Sequence, residues 1–244
     1  MTRIVFSLAG IAVVGLVVLA LGWWFVIRSD AELATEPPEI PQDLVEATST
    51  PAATDAPTTT GDAAEDVLTF SIVSDRSEGA YFVDEELASV GVPSTAKGST
   101  TAITGEFSLT ADGALAEGVT SQFTVDVTTL QSDESRRDNR VQQALETGSF
   151  PTATFTITSL TGYDAAIAEG EQQNLQLTGT LSLHGVEREV TWEVEALREA
   201  NVITALATVT ISFADYGVTP PDIGGFVSVE DEATLQVQLV AEQV

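Results

Sequence analysis

The sequence predicts an all-β domain of about eight antiparallel strands with one short helix, set behind a hydrophobic segment and an acidic linker. Three observations carry this prediction. From residue 68 onward apolar and polar residues alternate with period two in run after run. Such alternation gives each strand one dry and one wet face, the mark of antiparallel rather than doubly covered parallel sheets. One stretch, SDESRRDNRVQQALETG, breaks that period with a helical one. Closure as a single barrel or as a two-sheet sandwich both fit the pattern.

Residues 4–27 come first in chain order. They carry no charge, are bracketed by Arg3 and Arg28, and end near Trp23 and Trp24. The run is long enough for a bilayer core of about 30 Å, and its aromatic pair suits the interfacial belt. It is too long for a cleavable signal, and no small-x-small site follows it. Residues 1–28 therefore read as a retained signal anchor with the bulk of the chain outside the cytoplasm. Residues 29–66 hold ten acids, five Pro and no aromatics. They read as a disordered acidic Pro/Thr-rich linker, a coil of roughly 35 Å.

The folded domain is then 67–244. Its strands run through residues 68–74, then Ile103–Leu109, Ser121–Thr129 and Ala153–Ser159. They continue through Asn174–Leu183, Glu189–Ala196, residues 202–213 and Leu235–Ala241. LHGVERE marks a hairpin turn at Gly185, and residues 81–91 read equally as a short helix or an edge strand. In the helix, Ser132 is the expected N-cap, with Val141 and Leu145 facing the sheet.

The dry faces carry Phe107, Phe123, Val125, Phe155, Ile157, Leu181, Trp192, Val194, Ala205, Ala207 and Phe213. Small residues stand among these large ones: Gly105, Gly179, Ala196, Ala205, Ala207 and Ala241. Asn174–Leu183 would extend about 33 Å. A barrel of that height lined partly by Ala and Gly need not fill itself, and eight strands can enclose one small ligand. The simpler reading is that the small residues mark close sheet packing around a solid core.

Charge and composition exclude several classes. Thirty-seven acids against nine basic residues give a formal charge of −28, which repels nucleic acid. With no Cys there is no disulfide scaffold and no thiolate metal site. The one His, His184, sits in a turn, so a base for a nucleophile is lacking and no enzyme is expected. The acidic runs Asp84–Glu86 and Glu230–Glu232 lack a calcium-loop pattern, and no metal or cofactor is expected. Arg136, Arg137 and Arg140 are candidates for contact with an anionic head group. Pairing with Asp133, Glu134 and Asp138 on the same helix is the simpler account.

The runs TTLQSDESRRDNRVQQALETGSFPTATF, LTGTLSLHGVEREVTWEVEA and FADYGVTPPDIGGFVSVEDEATLQVQLVA, in this order, resemble the YceI-like family over about residues 68–242. The most specific pieces are Arg137-Asp138, Phe150-Pro151 with Phe155, Leu177-Thr178-Gly179 through Leu183-His184-Gly185-Val186, and Tyr216-Gly217 with Val229-x-Asp231. The resemblance implies an extended, lipocalin-like antiparallel β-barrel with an apolar tunnel for a long-chain lipid, of polyisoprenoid or fatty-acyl type. The chain departs from the family in its anchor and linker, and in Asn139, where a His-containing form is more typical. No head-group contact is therefore carried over. The expectation is a membrane-anchored extracytoplasmic lipid-binding barrel, for storage, transport or sensing. The alternative is a ligand-free cell-surface interaction or adhesion module with a filled core.

Overall fold

The computed structural model describes residues 31–47, 67–87, 92–164, 167–220 and 227–244. The proposed span at 4–27 lies outside these residues. Among the described residues no helix is long and apolar enough to cross a membrane.

The strands are β1 (Val67–Ile72), β2 (Glu78–Leu87), β3 (Val92–Thr100), β4 (Ile103–Thr110), β5 (Gln122–Asp126) and β6 (Gln131–Ser132). They continue as β7 (Thr152–Thr161), β8 (Gln173–Leu183), β9 (Val186–Glu199), β10 (Val202–Ser212), β11 (Val227–Val229) and β12 (Glu232–Gln243). Helix α1 spans Gln42–Ala47 and α2 spans Ser135–Ala144.

Three staves of the barrel are each broken in the middle: β1 with β2, β3 with β4, and β5 with β6. Counted this way, the sheet is an eight-stranded antiparallel meander closed by the pairing of β1 with β12. Of the two closures open to the sequence, the barrel is the one formed. Residues 81–87 are strand, in the body of the wall rather than at an edge, because β2 lies between β12 and β3. Strand β3 was not foreseen. Its inward residues Ser94, Ala96 and Gly98 are too small to show a hydrophobic alternation. Gly98 is required there, since a Cβ would fall 2.3 Å from the Tyr81 ring.

The break between β1 and β2 is bridged by a side chain. β12 pairs with β2 through Thr234–Gln238 and with β1 through Ala241–Gln243. Between them the buried Ser77 hydroxyl accepts from the Val240 amide at 3.0 Å and donates to the Val73 carbonyl at 2.9 Å. The polar backbone thus stays satisfied where the ladder changes partner. The β8–β9 hairpin is a two-residue turn with positive φ at His184 (52°) and Gly185 (73°), the primed geometry that matches strand twist.

Helix α2 begins later than Ser132. Residues 131–132 are held extended as β6 against β3, so the cap falls to Glu134, whose side chain accepts from the Arg136 amide. Ser132 instead donates its hydroxyl to Asp138 at 2.6 Å, and its amide donates to the same carboxylate at 2.8 Å.

The described part of the acidic segment, residues 31–47, is laid along the outside of the barrel. The Ala31 amide donates to the Thr95 carbonyl at 3.3 Å. Ala34 and the Gln236 side chain exchange two hydrogen bonds, 2.8 and 3.1 Å. Asp43 takes both ends of the Arg76 guanidinium, at 2.9 and 2.6 Å, and Asn201 donates to the Leu44 carbonyl at 3.5 Å. This differs from a free linker for a reason on the barrel wall. Val202, Leu206 and Val240 alternate with inward residues and so face outward, yet all are buried. The strap's bonds to Gln236 and Asn201 bracket that apolar strip. A reading of the segment's own composition does not see the complementary face.

Candidate functional site

The interior is hollow at the end of the barrel beneath α2. A cavity of about 370 Å³ lies there, within the range of roughly 300–1,000 Å³ usual for small-molecule sites. Its walls are side chains from β2, β3, β4, β5, β7, β8, β9, β10, β11 and β12, and Val141 and Ala144 of α2, together with Leu145 that caps this helix, cover it. A second lobe of about 110 Å³ continues toward the far end and shares Phe123, Leu177, Val194, Ala205 and Leu239 with the first. The two adjoin across these shared, apolar walls.

The expected lining residues divide between the lobes. Phe123, Val125, Phe155, Leu181, Trp192, Val194, Ala205, Ala207 and Phe213 border the main cavity. Phe107 and Ile157 border the smaller lobe instead. The small residues also separate. Ala205 and Ala207 leave space, and Ala196 borders the second lobe. Gly105 and Gly179 mark close backbone approach: a Cβ on either would lie 2.2 Å from a carbonyl oxygen, of Gln122 and Thr156 respectively. Ala241 is fully buried and packed. For these three the simpler reading holds.

Trp192 is buried, meets Phe155 edge to face at 5.8 Å, and its indole Nε1 has no hydrogen-bond partner among the described residues. Tyr81, Val83, Ile103, Leu235 and Val237 also line the cavity without having been singled out. The strand alternation contains Ile103, Leu235 and Val237; Tyr81 and Val83 fall in the stretch whose period was ambiguous.

The polar groups gather at the mouth. Arg137 lines it and is held by Glu85 on β2 at 3.5 Å and by Asp133, four residues back on the helix approach. Burial pulls this guanidinium's pKa down, but the two carboxylates outweigh it, and the value stands above the ordinary one. Arg137 therefore ties α2 to the barrel wall. Burial pushes the neighbouring Tyr81 phenol up, against a smaller pull from Arg137, so it stays protonated. Arg140 also lines the mouth and has no ion-pair partner among the described residues. Arg136 is exposed and does not line the cavity.

His184 is half-buried: its Nδ1 lies 3.0 Å from the Tyr216 carbonyl and its ring packs edge to face on Phe150. It does not reach the cavity. Among the described residues no three acidic or His groups are placed to hold a metal ion.

A closed up-and-down barrel around an apolar interior, lidded by a helix, defines a lipocalin-like barrel of the kind that can enclose a ligand. The YceI-like domain matches residues 70–241, and the chain belongs to the YceI-like family. Two solved structures are similar in fold. One is a polyisoprenoid binding domain from Saccharophagus degradans implicated in plant cell wall breakdown, 20% identical with a TM-score of 0.57, covering 72% of this chain and 99% of that one. The other is BcnA of Burkholderia cenocepacia, 20% identical with a TM-score of 0.52, covering 69% and 98%. No curated protein matches the chain.

Proposed function

We propose that the barrel binds a long-chain lipid of polyisoprenoid or fatty-acyl type in its apolar interior, and does so without transforming it. The observation that carries this reading is the apolar cavity of about 370 Å³ with a second lobe of about 110 Å³ beside it: an interior walled mainly by apolar side chains suits a hydrocarbon chain. Ligand burial gains about 25 cal/mol per Å² of apolar area taken from water. Exchange with a bilayer is closer to balanced, because the chain was already dry there. Arg140, at the mouth and without an ion-pair partner among the described residues, is the group best placed to meet a polar or anionic head. Residues 4–27 hold the protein in a membrane with the barrel outside the cytoplasm, which supports storage, carriage or sensing at that surface.

The test uses Trp192, the only Trp after residue 24. In the full chain carrying Trp23→Phe and Trp24→Phe, a long polyprenyl alcohol should change its emission saturably. A short water-soluble prenyl alcohol should not. Indifference to every long-chain lipid would favour the ligand-free surface module.

A further inference from the structure

The strap changes which end of the barrel the membrane-side chain leaves from. Strand β1 begins at Val67, paired with Thr110 at the end opposite α2. A free linker would lead away from that far end. Followed backward from α1, the docked strap instead runs the length of the wall. Leu44 is bonded at Asn201, beside the far-end β9–β10 hairpin, and Ala34 at Gln236. Ala31 is bonded at Thr95, next to Ser94, which lines the mouth under α2. Ile27, the last residue of the uncharged run, is four positions earlier. Four extended residues reach at most about 14 Å.

We propose that the strap presents the α2 mouth of the barrel to the bilayer that residues 4–27 enter, so that the lipid surface is the partner of this rim. This rests on the reading of residues 4–27 as a membrane span. The rim carries charge of both signs, with Asp84, Glu187 and Glu230 exposed beside Arg136 and Arg188, so it is not a basic patch that anionic lipid would hold. Chain length holds it there. A ligand then passes between bilayer and cavity across a short aqueous gap, where a free linker would let the barrel wander by tens of ångströms.

The absence of Cys makes the test direct. The full chain is inserted into phosphatidylcholine vesicles containing a nitroxide-headgroup lipid. A fluorophore is placed through Glu187→Cys at the α2 rim or Glu171→Cys at the far end, both exposed positions. The label at 187 should be quenched several-fold more than that at 171. Adding Ala34→Pro with Asp43→Ala, which removes strap bonds, should bring the two labels to equal, weak quenching. Equal quenching without those changes, or an unaltered difference with them, overturns the proposal. Loss of the protein from vesicles after an alkaline carbonate wash is a separate result: it removes the span, and the proposal with it, while leaving lipid binding by the barrel standing.

Discussion

The two halves of the barrel share one alternation of inward and outward residues but differ in what stands inward. In the far half Phe70 stacks on Phe107 at 5.3 Å, and Phe107 meets Phe123 edge to face at 5.9 Å. These rings leave a lobe of about 110 Å³. In the half under α2 the wall offers Ser94, Ala96, Ala205 and Ala207, and the cavity is about 370 Å³. The hollow is therefore made by withholding side-chain volume from two staves and roofing the space with a helix. No change of architecture is needed.

The largest expected difference between the halves is in the cost of deleting a ring. Phe70→Ala removes a fully buried ring that stacks on Phe107 and lines neither lobe, and should destabilise by about 3–5 kcal/mol. Trp192→Ala borders an existing void, so fewer contacts are lost, and its cost in urea unfolding should be clearly smaller. Its main effect should fall on lipid binding. Equal costs for the two would mean that the α2 half is packed as solidly as the far half, and would favour the ligand-free module.

The roof should come next in size. Arg137→Ala leaves Glu85 half-buried without its partner, and loss of a charge-assisted contact of this kind costs about 1–3 kcal/mol. Hydrogen exchange should rise in Val141–Leu145 and stay unchanged around Phe70. An equal rise in both regions would show that α2 is part of the common core rather than a separable cover.

How much of this was legible in the sequence follows from which signals are local. The strands with large inward residues, such as Phe155 and Ile157 on β7 or Trp192 and Val194 on β9, announce themselves by period two. Strand β3 does not, because Ser94, Ala96 and Gly98 are small for the benefit of Tyr81 and the cavity. The feature that makes the site thus erased its own strand signal. The cap of α2 was misplaced at Ser132 because β6 pairing is long-range. Arg137 and Arg140 were found as a charge cluster, yet nothing local distinguishes them from the exposed Arg136. The strap was hidden for the same reason as the α2 cap: its partner is an outward strip of Val202, Leu206 and Val240, more than 150 residues away along the chain.

A smaller effect should come from filling the hollow. Enlarging a residue in a close-packed core costs about 1–3 kcal/mol. Ala207→Leu adds volume where space already exists, so its cost should lie below that range, and stability can rise. Long-chain lipid binding, read by Trp192 emission, should weaken strongly. A full overpacking penalty with unchanged binding would place the ligand away from β10.

The smallest effect concerns the strap that joins the two ends outside. Its Asp43 carboxyl is held below the ordinary value, chiefly by the hydrogen bonds from Arg76. A depressed carboxyl favours docking above the ordinary Asp range, near pH 4, and its contribution is lost as pH falls through the lowered value. Asp43 is exposed, so the barrel itself should not unfold with it. NMR amide shifts of Leu44 and Val45 should move toward free-chain values on acidification. Those of Ala34 should lag, because its bonds to Gln236 involve no titrating group. Asp43→Asn should show the loosened Leu44 signal already at neutral pH, with Ala34 still docked. If both ends of the strap were released together in the wild type, docking would be a single cooperative event and not a series of separate attachments along the wall.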